Sequence, residues 1–332
     1  MTNPFILRPN YCMFTFAHLS DPHFTSLDNI SWASIANKRA MGYLSWHLHR
    51  RSEHRPEILE CLIQDLRRHQ PDHVVITGDL THLGLPDEFQ QARQWLDTLQ
   101  TLTDVTVIPG NHESYVTTSF QSTLQLWEPY LKSDQSSEYT HQLHKKDCIF
   151  PSLRIRGPVA FIGLSSAHPT APFLATGSID PQQLEHLADL LSSTTIKGLY
   201  RVLLIHHPPL SESTQWRKRL TNATALQHIL AKNPVNLILH GHTHKSSVEF
   251  LQTPSYPIPV IGVASSSALG TKAGYSAQYG LFRIEEHRKG HHIHATVHGY
   301  SRDDHRFLFS HECPLELSPR SLNKNTAAKR LR

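Results

Sequence analysis

Val235-Asn236-Leu237-Ile238-Leu239-His240-Gly241-His242-Thr243-His244 is an apolar, strand-like run that stops abruptly at two histidines. His242 and His244 flank Thr243 just past the run, where the chain is turning, so both imidazoles can reach one site. A Gly-His-Thr-His tetrapeptide alone is also an ordinary polar loop, since the chain carries 26 histidines. What separates the two readings is whether the same form recurs.

It recurs four times upstream. Met13 to Leu19 ends in Ser20-Asp21-Pro22-His23, with Pro22 stiffening the turn between the two polar residues. His73 to Thr77 ends in Gly78-Asp79, and Val105 to Ile108 ends in Pro109-Gly110-Asn111-His112-Glu113. Arg201 to Ile205 ends in His206-His207-Pro208-Pro209. Helical patterns lie between these runs, at Glu57 to His69 behind Pro56, Asp87 to Leu99, Pro181 to Leu191 and Ala223 to Leu230. Alternating strands and helices predict an α/β fold with adjacent parallel strands. In such sheets ligands gather at the carboxyl ends of the strands, where all five clusters fall. Val159 to Ser165 reads as a further strand, and the polar stretch from Ser114 to Arg156 gives no clear assignment. Ile258 to Ala264, Gly280 to Glu285 and His292 to Val297 follow without long helices between them, which predicts a closing antiparallel sheet.

The rest of the chain sets bounds. With 332 residues, 39% of them hydrophobic, it is long enough for a large core, and residues 12–317 read as a single domain. No apolar run reaches the length of a membrane span, and the first sixteen residues lack the apolar core of a secretion signal. Cys12, Cys61, Cys148 and Cys313 are scattered and read as reduced thiols. A cytoplasmic location is therefore expected. The net charge of +4 favours anionic substrates only weakly and gives little support to a nucleic-acid groove. Residues 28–55 stand apart. Lys38, Arg39, Arg50 and Arg51 flank Met41, Tyr43, Leu44, Trp46 and Leu48, the composition of a basic cap over the site or against the inner membrane surface. An ordinary amphipathic helix has the same pattern. Residues 318–332 form a polar, basic tail, expected to be disordered.

Together the five clusters offer aspartates, an asparagine and histidines, with no cysteine. Mixed carboxylate and imidazole donors suit Mn, Fe, Zn or Co, and are too rich in nitrogen for Ca or Mg. A carboxylate between two ions can bridge them. A pair about 3.5–4 Å apart clamps a phosphoryl group and turns water into a nucleophile at neutral pH.

In this order, the blocks from Asp21 to His244 resemble those of the calcineurin-like metallophosphoesterase superfamily. The resemblance implies a four-layer αββα sandwich with two metal ions at its rim, Mn favoured. It implies that Asp21, His23 and His244 hold one ion, that Asn111, His206 and His242 hold the other, and that Asp79 bridges. Relatives with His-His-Pro-Pro use the first histidine, here His206. His112 matches the family histidine that contacts the phosphate and protonates the leaving oxygen, after attack by a metal-bridging hydroxide. Glu113 stands where many relatives have aspartate and is expected to support the ligands from behind.

One position departs from the family. Many relatives place an aspartate three residues after the bridging one, where it orients the catalytic histidine; here that residue is His82. An imidazole brings no negative charge, so the general-acid contribution of His112 is expected to be smaller than usual. The implied activity is phosphodiester hydrolysis of a small-molecule or lipid-linked substrate, with the cyclic-nucleotide phosphodiesterases as the nearer likeness. The alternatives are a UDP-2,3-diacylglucosamine pyrophosphatase of lipid A synthesis, with Lys38, Arg39, Arg50 and Arg51 on its substrate, and an inactive scaffold on the same fold.

Overall fold

The computed structural model describes residues 13–24, 39, 53–116, 123–134, 149–210, 214–272, 274–287 and 290–315. Most of the 28–55 cap, the 318–332 tail, Cys12 and Cys148 lie outside the described residues. Among the described residues twelve strands form two six-stranded sheets. The strands are β1 (Met13–Leu19), β2 (His73–Ile76), β3 (Asp104–Val107), β4 (Ser152–Arg156), β5 (Val159–Gly163) and β6 (Tyr200–Leu204). The series continues with β7 (Leu237–His240), β8 (Ser247–Leu251), β9 (Ile258–Gly262), β10 (Gln278–His287), β11 (Gly290–Ser301) and β12 (Arg306–Glu312). The helices are α1 (Pro56–His69), α2 (Pro86–Gln100), α3 (Glu128–Leu131), α4 (Pro181–Ser192) and α5 (Ala223–Lys232).

The first sheet runs β12-β11-β10-β1-β2-β3 and the second β4-β5-β6-β7-β9-β8. Within them β1, β2 and β3 are mutually parallel, as are β5, β6, β7 and β9. The alternation of side chains along each strand assigns the layers. Phe16 and Val75 join Phe161, Val202 and Leu239 in a core between the sheets. Their neighbours Ala17, Val74 and Ile76 face the opposite way, onto α1 and α2. On the far side Leu203 and Ile238 meet Leu187 of α4 and Leu226 of α5. The result is helix, sheet, sheet, helix. Phe16 pins the seam, stacked on Phe282 at 4.8 Å and edge-on to Phe161 at 5.1 Å.

Local chemistry explains the helices that frame the site. Pro56 opens α1, which buries Ile58, Leu59, Leu62 and Leu66 on one stripe, each worth about 1.5–3 kcal/mol of transfer free energy. Gln70 ends it in the left-handed region at φ 47°. α4 begins at Asp180, whose carboxylate accepts from the Gln182 N–H at 2.8 Å. Ahead of α2, the buried Glu88 carboxylate accepts from the N–H groups of His82, Leu83 and Leu85, folding the chain just beyond Asp79.

The closing strands differ from the sequence expectation. Ile258–Gly262 lies parallel to β7 inside the second sheet, and only β10, β11 and β12 form the antiparallel extension of the first. All five β9 residues are buried, as suits a strand covered on both faces. The half-buried β8 intervenes as its antiparallel hairpin partner and keeps it away from β10. β4, β8 and β12 are edge strands whose short apolar runs are broken by polar residues such as Arg154, Glu249 and Ser310. Among the described residues no helix is long and apolar enough to cross a membrane.

Candidate active site

The parallel strands deliver their ends to one rim. Asp21 and His23 follow β1, Asp79 follows β2, and Asn111 and His112 follow β3; His206 follows β6, and His242 and His244 follow β7. Asp21, His23, Asp79, His242 and His244 all have positive φ, between 46° and 68°. Non-glycine residues held there are strained, and such strain concentrates at functional sites. The glycines beside them are there for room. A Cβ on Gly110 would lie 2.2 Å from Asp79 Oδ1, and one on Gly241 would lie 1.9 Å from Ser20 Oγ.

Two groups of ligand-type atoms result. Asp21, His23, Asp79 and His244 form one, and Asp79, His206 and His242 form the other. Asp79 belongs to both. Asn111 Oδ1 joins the second group, 3.2 Å from His206 Nε2, and Asp79 Oδ2 is also 3.2 Å from that nitrogen. In the first group His244 Nε2 lies 3.2 Å from Asp21 Oδ1 and 3.2 Å from His23 Nε2.

The rear of three of the four imidazoles is committed to main-chain oxygen. His23 Nδ1 donates to Thr81 O at 3.0 Å, His206 Nδ1 to Thr77 O at 2.6 Å, and His242 Nε2 to Lys218 O at 3.0 Å. In a neutral ring the opposite nitrogen then presents its lone pair to the cluster, an arrangement common to metal-ligating histidines. His207 differs. Its Nδ1 is 2.7 Å from Ser166 Oγ and its Nε2 is 3.3 Å from Ala175 O, so both nitrogens are engaged away from Asp79. Glu113 is wholly interior and accepts from the N–H groups of Asp79, Thr81 and Gly110 at 2.7–2.9 Å, tying the β2 and β3 turns together. His112 Nε2 lies 3.8 Å from Asp79 Oδ2, and its Nδ1–H donates to the main-chain oxygen of His82.

His54 is the residue that sequence reasoning missed. Its ring lies 4.7 Å from that of His23 and 6.0 Å from that of His244, and its Nδ1 is 2.8 Å from Ser267 Oγ. It arrives through an isolated bridge to Ala268, with no apolar run before it to flag it. Of the expected substrate-binding bases, Arg39 is buried and donates to Leu83 O at 2.9 Å and Gly84 O at 2.6 Å. Lys38, Arg50 and Arg51 lie outside the described residues.

The electrostatics suit cations. Asp21 Oδ1 is buried without a hydrogen bond. Burial, followed by the neighbouring histidines, holds His23 and His242 well below the ordinary imidazole range, so both are neutral and able to coordinate. Burial would also depress His206, but the Asp79 carboxylate beside it raises it to about 9. Burial alone would raise Asp79; the His206 and His112 charges instead hold it well below the usual carboxylate range. A buried carboxylate in both groups, neutral imidazoles and an unbonded carboxylate oxygen together fit a pair of divalent ions, with donors typical of Mn, Fe, Zn or Co.

The sequence matches the family model of calcineurin-like phosphoesterases over residues 14–246. It is 26% identical over 264 residues to a probable cyclic nucleotide phosphodiesterase of Rhodococcus erythropolis, covering 78% of this chain and 72% of that protein. It is also 26% identical over 244 residues to a cAMP/cGMP dual specificity phosphodiesterase of Mycobacterium tuberculosis, covering 72% of this chain and 64% of that protein. Among solved structures, a dimetal phosphatase from Danio rerio shares the fold with a TM-score of 0.55 at 16% identity, over 90% of this chain and 99% of that one.

Proposed function

Because the chain belongs to the calcineurin-like phosphoesterase family, a family of dinuclear-metal hydrolases, we propose that it hydrolyses a small phosphodiester, with a cyclic nucleotide as the first candidate. The observation that carries the proposal is the place of Asp79. Its carboxylate stands in both ligand groups, as a bridge requires, with His112 Nε2 3.8 Å away. Asp21, His23 and His244 would hold one ion, Asn111, His206 and His242 the other, and Asp79 both; Mn is the favoured metal. Bound there, the pair supplies positive charge for the phosphoryl oxygens and a nucleophile from water at neutral pH.

The protein's own part is placement and proton transfer. His112 donates Nδ1–H to the His82 carbonyl, so its imidazolium form carries the second proton on Nε2, available to a leaving oxygen. Glu113 keeps the Asp79 and Asn111 turns at a fixed separation. The segment from Lys38 to Arg55 is proposed to govern substrate choice, through its bases and through Leu44, Trp46 and Leu48.

The test is to strip the purified chain with a strong chelator and restore Mn, Fe, Co or Zn separately. Each form is then assayed on cAMP, cGMP, bis(p-nitrophenyl) phosphate and detergent-dispersed UDP-2,3-diacylglucosamine. Metal-dependent cleavage of the cyclic nucleotides is expected. Full activity in the stripped chain would overturn the dinuclear reading. Cleavage of the lipid in preference to the nucleotides would move the assignment to the pyrophosphatase. If the reconstituted chain left all four substrates intact, it would be a scaffold.

A further inference from the structure

A second convergence of metal-ligand side chains lies away from the rim, at the C-terminal end of α1. Asp65 and His69 are four residues apart on this helix and so share a face. His298 reaches them from β11. Ligand atoms of the three lie within 4.8 Å of one another. His69 Nε2 and His298 Nδ1 are each 3.8 Å from the same oxygen, Asp65 Oδ2.

That spacing is informative. At 3.8 Å neither nitrogen hydrogen-bonds to the carboxylate, yet both lie beside the same oxygen. A tetrahedral zinc ion with bonds of about 2.0–2.1 Å holds neighbouring donors about 3.3 Å apart, so each imidazole-to-carboxylate distance would close by about half an ångström around an ion. The supports are already in place. Tyr279 donates its hydroxyl to Asp65 Oδ2 at 2.7 Å and stacks its ring on His298 at 4.9 Å, fixing both residues at once. His298 Nε2, the nitrogen turned away from Asp65, lies 3.3 Å from Thr296 Oγ1. Such partners behind a ligand orient it and hold its tautomer.

Access and competition also favour an ion. Asp65 and His298 are buried, whereas the His69 side chain is 28% exposed, so the cluster can be reached from solvent on the His69 side. A competing cation is Arg68, whose Nη1 is 3.6 Å from the other carboxylate oxygen, Oδ1; that side chain is 62% exposed, so its hold is weak. Two imidazoles and one carboxylate match zinc, cobalt or nickel and are poor for calcium or magnesium.

We propose that Asp65, His69 and His298 bind one zinc-class divalent ion, separate from the dinuclear rim, which clamps the end of α1 to β11. The site does not depend on the reaction assigned to the rim. Its role is mechanical: α1 starts beside His54 at the active site, and the clamp anchors the other end of the same helix.

The test is zinc content in the full-length chain, stripped by chelation, reloaded and freed of excess metal. Wild type is expected to hold one more zinc per chain than His69→Ala, with turnover unchanged. Removing a ligand should weaken zinc binding here by at least the roughly 10–100-fold that follows loss of a supporting group alone. In a chain carrying Asp79→Ala and His206→Ala, which weakens both rim groups, adding His69→Ala should lower the zinc content by one further ion per chain. Cobalt lost with that substitution should carry the visible absorption of a tetrahedral ion. Equal zinc content in wild type and His69→Ala would overturn the proposal. So would a folded Asp79→Ala/His206→Ala chain that binds no zinc. If that double variant does not fold, the wild-type and His69→Ala comparison decides alone, with His298→Gln as its independent repeat.

Discussion

The Nδ1–H of His112 donates to the main-chain carbonyl of His82, and the two rings lie 5.4 Å apart at 27°. Sequence comparison by position had set the His82 side chain in the place of an orienting aspartate. The geometry hands that orienting contact to the backbone, which every residue carries. Tyr115 stacks on the His112 ring as well, 5.6 Å away at 23°. A carbonyl fixes the tautomer without supplying a full negative charge.

His112→Ala should therefore lower turnover by the low end of the roughly 10²–10⁴-fold range of a positioned acid, with both ions still bound. His82→Ala should cost less than about tenfold, because the carbonyl remains. The His112 effect should shrink with a p-nitrophenolate leaving group, which needs little protonation. Steady-state rates on good and poor leaving groups check this. Equal losses in the two variants would place the orienting contact in the His82 side chain.

Asp79→Ala should be the most damaging change to a candidate ligand, because it removes the carboxylate shared by both groups. It also breaks the 2.8 Å contact from the His112 N–H to Asp79 Oδ1. Metal analysis after reloading should find at least one rim ion lost, with turnover falling accordingly. Two rim ions still held at full occupancy would show that Asp79 does not bridge.

Much of this site was legible because strand-then-ligand is a local pattern. Residues placed directly after β1, β2 and β3 had to share one edge of the first sheet, and those after β6 and β7 one edge of the second, once the strands paired in parallel. His54 could not be read this way, since it reaches the site only through tertiary contact with the 265–268 turn. Nor could the backbone role of His82, because a carbonyl has no signature in sequence. Strand β9 was misplaced because a short apolar run does not state its pairing partner, and β8, which decides it, exposes too much polar surface to stand out.

Gly110→Ala should abolish activity with a modest loss of stability. The added methyl would press on Asp79 Oδ1 at 2.2 Å and on the Asp79 main-chain nitrogen at 2.6 Å. Overpacking of this kind costs about 1–3 kcal/mol, and here it falls on the shared carboxylate. Parallel urea unfolding and metal analysis check it. Normal activity in this variant would mean that the Asp79 turn has slack.

Stability should fall on mild acidification through the interior histidines. Burial brings His73 down to about 3 against the Asp104 carboxylate, which raises it, and burial followed by His240 does the same for His18. Both ordinarily titrate near 6.5, so below that pH the unfolded chain binds the extra proton and the native chain does not. Stability is thus fully present above about 6.5 and declines towards pH 3, by about 1.4 kcal/mol per pH unit for each histidine. In urea titrations between pH 7.5 and 5, His73→Phe should flatten the decline by about one such increment. Identical slopes for the two proteins would mean that His73 titrates normally in the fold.

The candidate ligands are split between the sheets, and this split sets a timetable for synthesis. Asp21, His23, Asp79 and Asn111 leave the ribosome with β1, β2 and β3 of the first sheet, but their partners His206, His242 and His244 follow only with the second. Each of the two groups needs donors from both sets. A nascent chain halted before β7 would therefore lack His242 and His244, and with them one donor from each ion's cage. The β1 edge meanwhile waits for β10, which pairs with it from the far end of the sequence. Metal capture is a late event in the life of this chain, closing over a structure already largely made.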